Sequence, residues 1–284
     1  MGIPPILRTP YLENVRKIVF SDLDGTLLDP DTYSCGPAEA GVRALRELGH
    51  PLVLCSSKTR AELEFWRLQL NNSAPFIVEN GGAIYIPRNY FPFAIEDAKR
   101  RGSYDVIEFG TPYAELVRSL QSASIISRCR TVGFHEMSVA QICLRTSLPV
   151  RHAEMAKKRE YDEPFDILGS NAHRLLSAIR SLGKTCKQGD RFYHLTGGND
   201  KALAVQRLTV LYARAHGDVS VIGIGNAPND TRFLAAVQEP VIVRSPFAAA
   251  MAKLIPRSFI TSSSGPAGWN EAIIQTLARP ALAH

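Results

Sequence analysis

Residues 17–28 read Lys-Ile-Val-Phe-Ser-Asp-Leu-Asp-Gly-Thr-Leu-Leu, an apolar run that ends in two carboxylates, a glycine and a hydroxyl. A continuous run containing β-branched and aromatic residues fits a strand covered on both faces of a sheet, and Gly25 lets the backbone turn sharply after the acids. In an extended segment Asp22 and Asp24 would flank Leu23 and point the same way, about 7 Å apart by strand rise. Two anionic side chains so close repel unless a cation or a shared proton lies between them. The tips of strands are also where open α/β sheets bind ligands. The plainer alternative is a turn in which Asp and Gly serve only backbone geometry.

Three other places hold candidate chemistry. A second apolar run, Pro51–Cys55, ends in Ser56-Ser57-Lys58-Thr59-Arg60, which also makes an ordinary helix start. Lys201 follows Gly197-Gly198-Asn199-Asp200 and opens a helix, where its charge adds to the backbone donors of the helix end. A third apolar run, Val219–Gly223, leads into Ile224-Gly225-Asn226-Ala227-Pro228-Asn229-Asp230.

The elements that must position these groups follow from periodicity. Residues 37–48 carry Ala38, Val42, Leu45 and Leu48 on one helical face, with Pro37 in the first turn and Gly49 past the end. A helix over 61–70, a strand over Phe76–Val78, the turn Glu79-Asn80-Gly81-Gly82 and a strand to Ile86 come next. This is the alternation of a parallel sheet with right-handed crossovers. It breaks at Pro87, where residues 89–110 turn rich in proline, aromatics and charge. Residues 88–195 hold predicted helices at 112–122, 138–146, 150–158 and 171–182, with strands near 105–109, 165–168 and 192–195. From 197 the alternation resumes, ending in a loop over 261–268 and a terminal helix. The expected architecture is α/β, a doubly wound, mainly parallel sheet formed by residues 1–87 and 196–284, with an α+β domain, 88–195, inserted between its halves.

The 284 residues are 45% hydrophobic and 21% charged, which suits a globular chain with a substantial core. The apolar runs are too short to span a membrane, and the N-terminus shows no basic segment followed by an apolar stretch, so no membrane association and a cytoplasmic location are expected. Five cysteines without a Cys-x-x-Cys pair suggest free thiols. The net charge of +6 suits an anionic partner. Nucleic acid is not expected, because the basic residues are scattered and the densest cluster, Lys157-Lys158-Arg159, runs directly into Glu160, Asp162 and Glu163.

Asp-x-Asp-Gly-Thr after a hydrophobic strand resembles the nucleophile motif of the haloacid dehalogenase-like (HAD) phosphatases. The resemblance implies that Asp22 attacks phosphorus and forms an aspartyl-phosphate, while its other oxygen and the Asp24 carbonyl hold Mg2+. It makes the Asp24 side chain the acid for the leaving alcohol and the base for the hydrolytic water. Ser56 then hydrogen-bonds a phosphoryl oxygen, and Lys201 stabilises Asp22 and the phosphoryl oxygens. Gly225–Asp230 resembles the acidic metal motif Gly-Asp-x-x-Asn-Asp, with Asn226 in place of its first acid. An amide oxygen can ligate magnesium but brings no charge, so weaker binding is expected, with Asp230 carrying more of the load.

Lys158-Arg159-Glu160-Tyr161-Asp162-Glu163-Pro164-Phe165, Ser264-Gly265-Pro266-Ala267-Gly268-Trp269 and Cys55-Ser56-Ser57-Lys58-Thr59-Arg60 resemble signatures of the mannosyl-3-phosphoglycerate phosphatases. The likeness spans residues 17 to about 274. It implies a cap over a small phosphorylated sugar-glycerate and release of mannosylglycerate, a compatible solute. Such a substrate explains the positive charge. Its carboxylate suits a clamp by Arg159, with Lys58 as a second cation, and its hydroxyls suit Glu160, Glu79 and Asn80; Ser57 and Gly81 border the same segments. Arg159 held in an internal salt bridge is the plainer reading. Glucosyl-3-phosphoglycerate, another sugar phosphate, a phosphosugar mutase reaction, and a sugar-phosphate-binding protein with impaired turnover remain open alternatives.

Overall fold

The computed structural model describes residues 15–189 and 191–278. The ends of the predicted core, 1–14 and 279–284, and Asp190 of the predicted insert lie outside the described residues. In chain order the elements are β1 (Arg16–Ser21), α1 (Glu39–Glu47), β2 (Leu52–Cys55), α2 (Arg60–Gln69), β3 (Phe76–Val78), β4 (Ala83–Pro87), β5 (Lys99–Arg101), β6 (Tyr104–Glu108), α3 (Tyr113–Ser127), β7 (Thr131–Gly133), α4 (Val139–Thr146) and α5 (Val150–Ala156). They continue with β8 (Glu163–Ile167), α6 (Ala172–Ser181), β9 (Thr185–Gln188), β10 (Tyr193–Thr196), α7 (Lys201–His216), β11 (Val219–Gly225), α8 (Thr231–Ala236), β12 (Glu239–Arg244), α9 (Ala248–Leu254), β13 (Phe259–Ser264) and α10 (Gly265–Ala278). The chain divides into two compact units, residues 1–52 with 209–284 and residues 53–208.

In the first unit β13, β12, β11 and β1 lie in that order, all parallel. Every residue of β11 is buried, as is β1 after Arg16, which fits strands covered on both faces. Helices α8 and α9 pack on β12, and α10 packs on β12, β13 and α1. The strand β13 extends through Ser262-Ser263-Ser264 where a loop over 261–268 was expected, and α10 begins at Gly265. As the edge of the sheet, β13 needs no apolar outer face, so its serines gave no strand signal.

In the second unit β2 runs parallel to β3, and β3, β4 and β6 follow antiparallel with β5 outermost. The sheet thus continues past Pro87 to Glu108. Its last strand, Lys-Arg-Arg, is fully exposed and lacked any apolar signal in the sequence. A separate antiparallel sheet, in the order β7, β8, β10, β9, occupies the later part of the unit. Leu116, Leu120, Phe165, Leu175, Ile179 and Leu195 join it to α3 and α6 in one core, and Phe134, Met137, Ile142, Ala153 and Phe192 form a second core with α4 and α5. The fold is α/β, a mainly parallel central sheet flanked by helices with a separate antiparallel α+β portion. No helix among the described residues is long and apolar enough to cross a membrane.

Candidate active site

The residues expected to do chemistry fall in both units. In the first, β1 and β11 are parallel neighbours with Ser21 paired to Ile224, and the Asp22 N–H donates to Ile224 O at 2.9 Å. The two-acid motif and the Asn226–Asp230 loop therefore leave the sheet side by side at the C-terminal ends of adjacent strands.

The extended segment expected to carry the two acids does not form. The strand stops at Ser21, whose hydroxyl donates to Asp22 O at 2.7 Å and accepts from Trp269 Nε1 at 2.9 Å. Leu23 O then accepts the N–H groups of Thr26 and Leu28, at 3.0 and 2.8 Å, closing a tight turn in which Gly25 has φ +69°. Buried Leu23 fastens the turn to the core. A strand cannot continue once its carbonyl is spent on its own turn, so backbone bonding sets the relation of the acids. Asp22 is 6% exposed.

Asp230 is fully buried, and its Oδ2 accepts the N–H groups of Asn226 and Ala227, both at 3.1 Å. It therefore shapes the loop as well as supplying charge. Asn226 O accepts from Ser245 Oγ at 2.6 Å, which holds the loop from the far side. The Asn226 side chain lies over the acid turn, since a β-carbon on Gly25 would stand 2.3 Å from Asn226 Nδ2. Asn226 Oδ1 is buried and makes no hydrogen bond.

Such an oxygen is suited to a hard cation, and so is the whole donor set of carboxylates, amide and carbonyl. The residues present fit the cation that the sequence implied. Among the described residues no group of three or more His, Cys, Asp and Glu side chains is arranged to hold a metal, so carboxylates alone do not make a cage here.

The second unit gathers Ser56, Lys58, Glu79, Asn80, Gly81, Arg159, Glu160 and Lys201. Ser56 is buried just past β2; its hydroxyl accepts the Lys58 N–H at 3.3 Å, and its carbonyl accepts the Asn80 N–H at 2.9 Å. The Ser57 carbonyl accepts from Arg159 Nη1 at 2.9 Å. Lys58 is buried with its ammonium 3.7 Å from Glu62, and α2 starts at the capping box formed by Thr59 and Glu62. Glu79, Asn80 and Gly81 all have positive φ, at 47°, 59° and 91°. Gly81 lies so close to the start of α7 that a β-carbon on it would stand 2.4 Å from Asp200 C and O and 2.7 Å from Lys201 N. The strained turn after β3 is thereby set against the Lys201 end of α7, with Lys201 3% exposed.

Glu79, expected to meet substrate hydroxyls, is instead fully buried, and its two oxygens accept the N–H groups of Glu160 and Tyr161 at 2.9 and 2.8 Å. Burial pushes its carboxyl up to about 8, and Asp162 adds to the shift while Arg159 opposes it. A folded-state value above the ordinary one stabilises the fold at low pH, and this stabilisation is lost as pH rises from about 4.5 to about 8. Glu79→Gln should remove this dependence. After a pH-independent offset for the lost acceptor, wild type should fall in urea stability relative to the variant by up to a few kcal/mol between pH 5 and 8.5. Parallel stability curves would refute it.

The Arg159 side chain is 8% exposed, with Nε and Nη1 donating to Ala156 O and Ser57 O, both at 2.9 Å, and Nη1 3.7 Å from Asp162. A bidentate clamp through these two nitrogens is not available in this conformation. Glu160 accepts from Arg60 Nε at 2.8 Å and from Tyr85 hydroxyl at 2.6 Å, and faces Arg101 at 3.4 Å. Asn199, Tyr161 and Trp269, present in the sequence motifs without an assigned role, and Ser245, outside them, hold these segments. Their signal was weak because Asn199 and Ser245 act on backbone carbonyls, Trp269 on a hydroxyl and Tyr161 on the Glu108 carboxylate, all partners brought near only by folding.

Residues 19–97 match the family model of the haloacid dehalogenase-like hydrolases. A glucosyl-3-phosphoglycerate/mannosyl-3-phosphoglycerate phosphatase of Methanococcoides burtonii is 38% identical over 272 residues, 93% of this chain and 98% of that protein. The chain belongs to the mannosyl-3-phosphoglycerate phosphatase family. A mannosyl-3-phosphoglycerate phosphatase of Pyrococcus furiosus is 39% identical over 214 residues, 75% of this chain and 85% of its own. A haloacid dehalogenase-like hydrolase of Bacteroides thetaiotaomicron, at 18% identity, shares the fold with a TM-score of 0.64 over 92% of this chain and 99% of that one. Family membership makes the chain a phosphatase, a hydrolase of phosphoric monoesters, and accounts for two acids at a strand tip next to a loop of oxygen donors.

Proposed function

We propose that the chain is a magnesium-dependent phosphatase that hydrolyses mannosyl-3-phosphoglycerate to mannosylglycerate and phosphate through an aspartyl-phosphate on Asp22, with residues 88–195 as the cap that selects the substrate. The observation that carries this reading is the pairing of β1 with β11, which sets Asp22 and Asp24 beside the Asn226–Asp230 loop. The relatives act on sugar-linked 3-phosphoglycerates, and one is named for both the glucosyl and the mannosyl compound, which favours glucosyl-3-phosphoglycerate as a second substrate. The five cysteines are free, in keeping with a reducing cytoplasm.

In this reading an Asp22 carboxylate oxygen attacks phosphorus as the bond from phosphorus to the glycerate oxygen breaks, and Asp24 gives its proton to that departing oxygen. Asp24 then takes a proton from water, the water oxygen attacks phosphorus, and Asp22 is regenerated as phosphate leaves. Ser56 and Lys201 serve the phosphoryl oxygens, the lysine as a full charge at a helix end. Asp22, the Asp24 carbonyl, Asn226 and Asp230 would hold Mg2+, which supplies charge neutralisation for the phosphoryl group when bound. Ser57, Lys58, Asn80, Gly81 and Glu160 border the sugar-glycerate. Glu79 and Arg159 act by fixing those segments.

Phosphate release from mannosyl- and glucosyl-3-phosphoglycerate, measured side by side, tests the proposal. Isomerised sugar phosphate without free phosphate would make the chain a mutase instead.

The amide at Asn226 leaves the metal one charge short. Asn226→Asp should lower the magnesium concentration for half-maximal activity about tenfold, the effect of about 1.4 kcal/mol from one added charge near the ion. Calorimetric magnesium titration of the substrate-free protein should show the same shift, and an unchanged affinity would reject Asn226 as a ligand.

A further inference from the structure

We propose that Asn199 is a positioning residue for Lys201, coupling the Glu160-Tyr161 segment to the start of α7. The inference rests on the reading of Lys201 as the cation for the phosphoryl oxygens.

Asn199 is 4% exposed and spends both protons of its amide nitrogen on carbonyls of two separate segments, Glu79 O and Tyr161 O, each at 2.9 Å. Its amide oxygen is buried without a hydrogen bond. A buried unmet acceptor is a cost, so the two donors explain the asparagine and the oxygen does not. The segments it joins are already linked, because the Glu79 carboxylate accepts the N–H groups of Glu160 and Tyr161. Residues 79–81, 160–161 and 199–201 therefore form a closed ring of contacts, completed where Gly81 meets the Asp200 and Lys201 backbone.

On the helix side, Asp200 Oδ1 accepts the Ala202 N–H at 2.9 Å and caps α7. Lys201 thus starts its helix between a cap and a ring that reaches a segment expected to border the substrate. Within that ring Asn199 is the side chain that ties the Tyr161 carbonyl directly to the helix end that carries the lysine, beside the route through Glu79 and Gly81. Sequence position alone, two residues before Lys201, gave no hint of this link.

A double-mutant cycle with hydrogen exchange tests it. Asn199→Ala should lower kcat for phosphate release from mannosyl-3-phosphoglycerate about 30-fold with KM changed less than about threefold, yet lower it less than about threefold in a Lys201→Ala background. Asn199→Asp, equal in size but without the donors, should behave like Asn199→Ala. In both variants the amides of Glu160, Tyr161 and Ala202 should exchange about tenfold faster or more, while the melting transition shows the protein still folded. Losses that multiply in the double variant, or unchanged exchange at these amides, would overturn the proposal. A wild type that releases phosphate from neither sugar ester would overturn the substrate reading instead, and the exchange data would still decide the coupling.

Discussion

Asp22→Asn is expected to lower kcat for phosphate release by about four orders of magnitude or more, because it removes the only group assigned to bond with phosphorus. An amide is a poor nucleophile and cannot hand the phosphoryl group on to water. The fold should survive the change. Asp22 is nearly buried, its backbone N–H and carbonyl are bonded to Ile224 and Ser21, and neither bond involves the carboxylate. The variant should therefore still show one cooperative melting transition. Asp24→Asn should differ in kind. It keeps the nucleophile and loses proton transfer, costing roughly 10²- to 10⁴-fold. Phosphoryl-enzyme should then be trappable by acid quench in Asp24→Asn and absent in Asp22→Asn. Equal residual activity in the two variants would sink the division of labour between the acids.

Gly81→Ala should be the most damaging of the conservative changes to the second unit. At φ +91° the residue lies outside the region L-amino acids tolerate, and the added carbon would meet backbone atoms of Asp200 and Lys201 at 2.4 and 2.7 Å. Backbone cannot rotate aside as a side-chain end can, so either the Glu79–Gly81 turn or the first turn of α7 must move. We expect a loss of roughly 3 kcal/mol or more, a fall in Tm of about 10 °C, and an activity loss exceeding that explained by unfolding, since Lys201 is displaced. Gly217→Ala is the control. Its φ is +76°, but a β-carbon there meets nothing within 4 Å, so it reports strain without collision and should cost only about 1 kcal/mol. Equal destabilisation by the two substitutions would show that the close approach to α7 contributes nothing.

The division between what sequence and structure each decide follows from the range of the forces involved. The apolar run before Asp22, the helical face of residues 37–48 and the strands at Phe76–Val78 and Val219–Gly223 were legible because local periodicity writes burial into residue order. The strands Lys99–Arg101, Thr131–Gly133 and Thr185–Gln188 were not, since edge or partly exposed strands carry little apolar pattern. For the site, residue type and spacing alone named the two acids, and the motifs named their family and the serine, lysine and amide that accompany them. Tertiary structure decided the rest. The acids stand on a hydrogen-bonded turn, and Asp230 holds its own loop. Glu79 binds backbone amides in place of hydroxyls, and Arg159 is committed to two carbonyls. Asn199, given no role from the sequence, donates to the carbonyls of Glu79 and Tyr161, two residues far apart in the chain. Each of these depends on which carbonyls and amides arrive within hydrogen-bond reach, and residue order does not record that until the chain has folded.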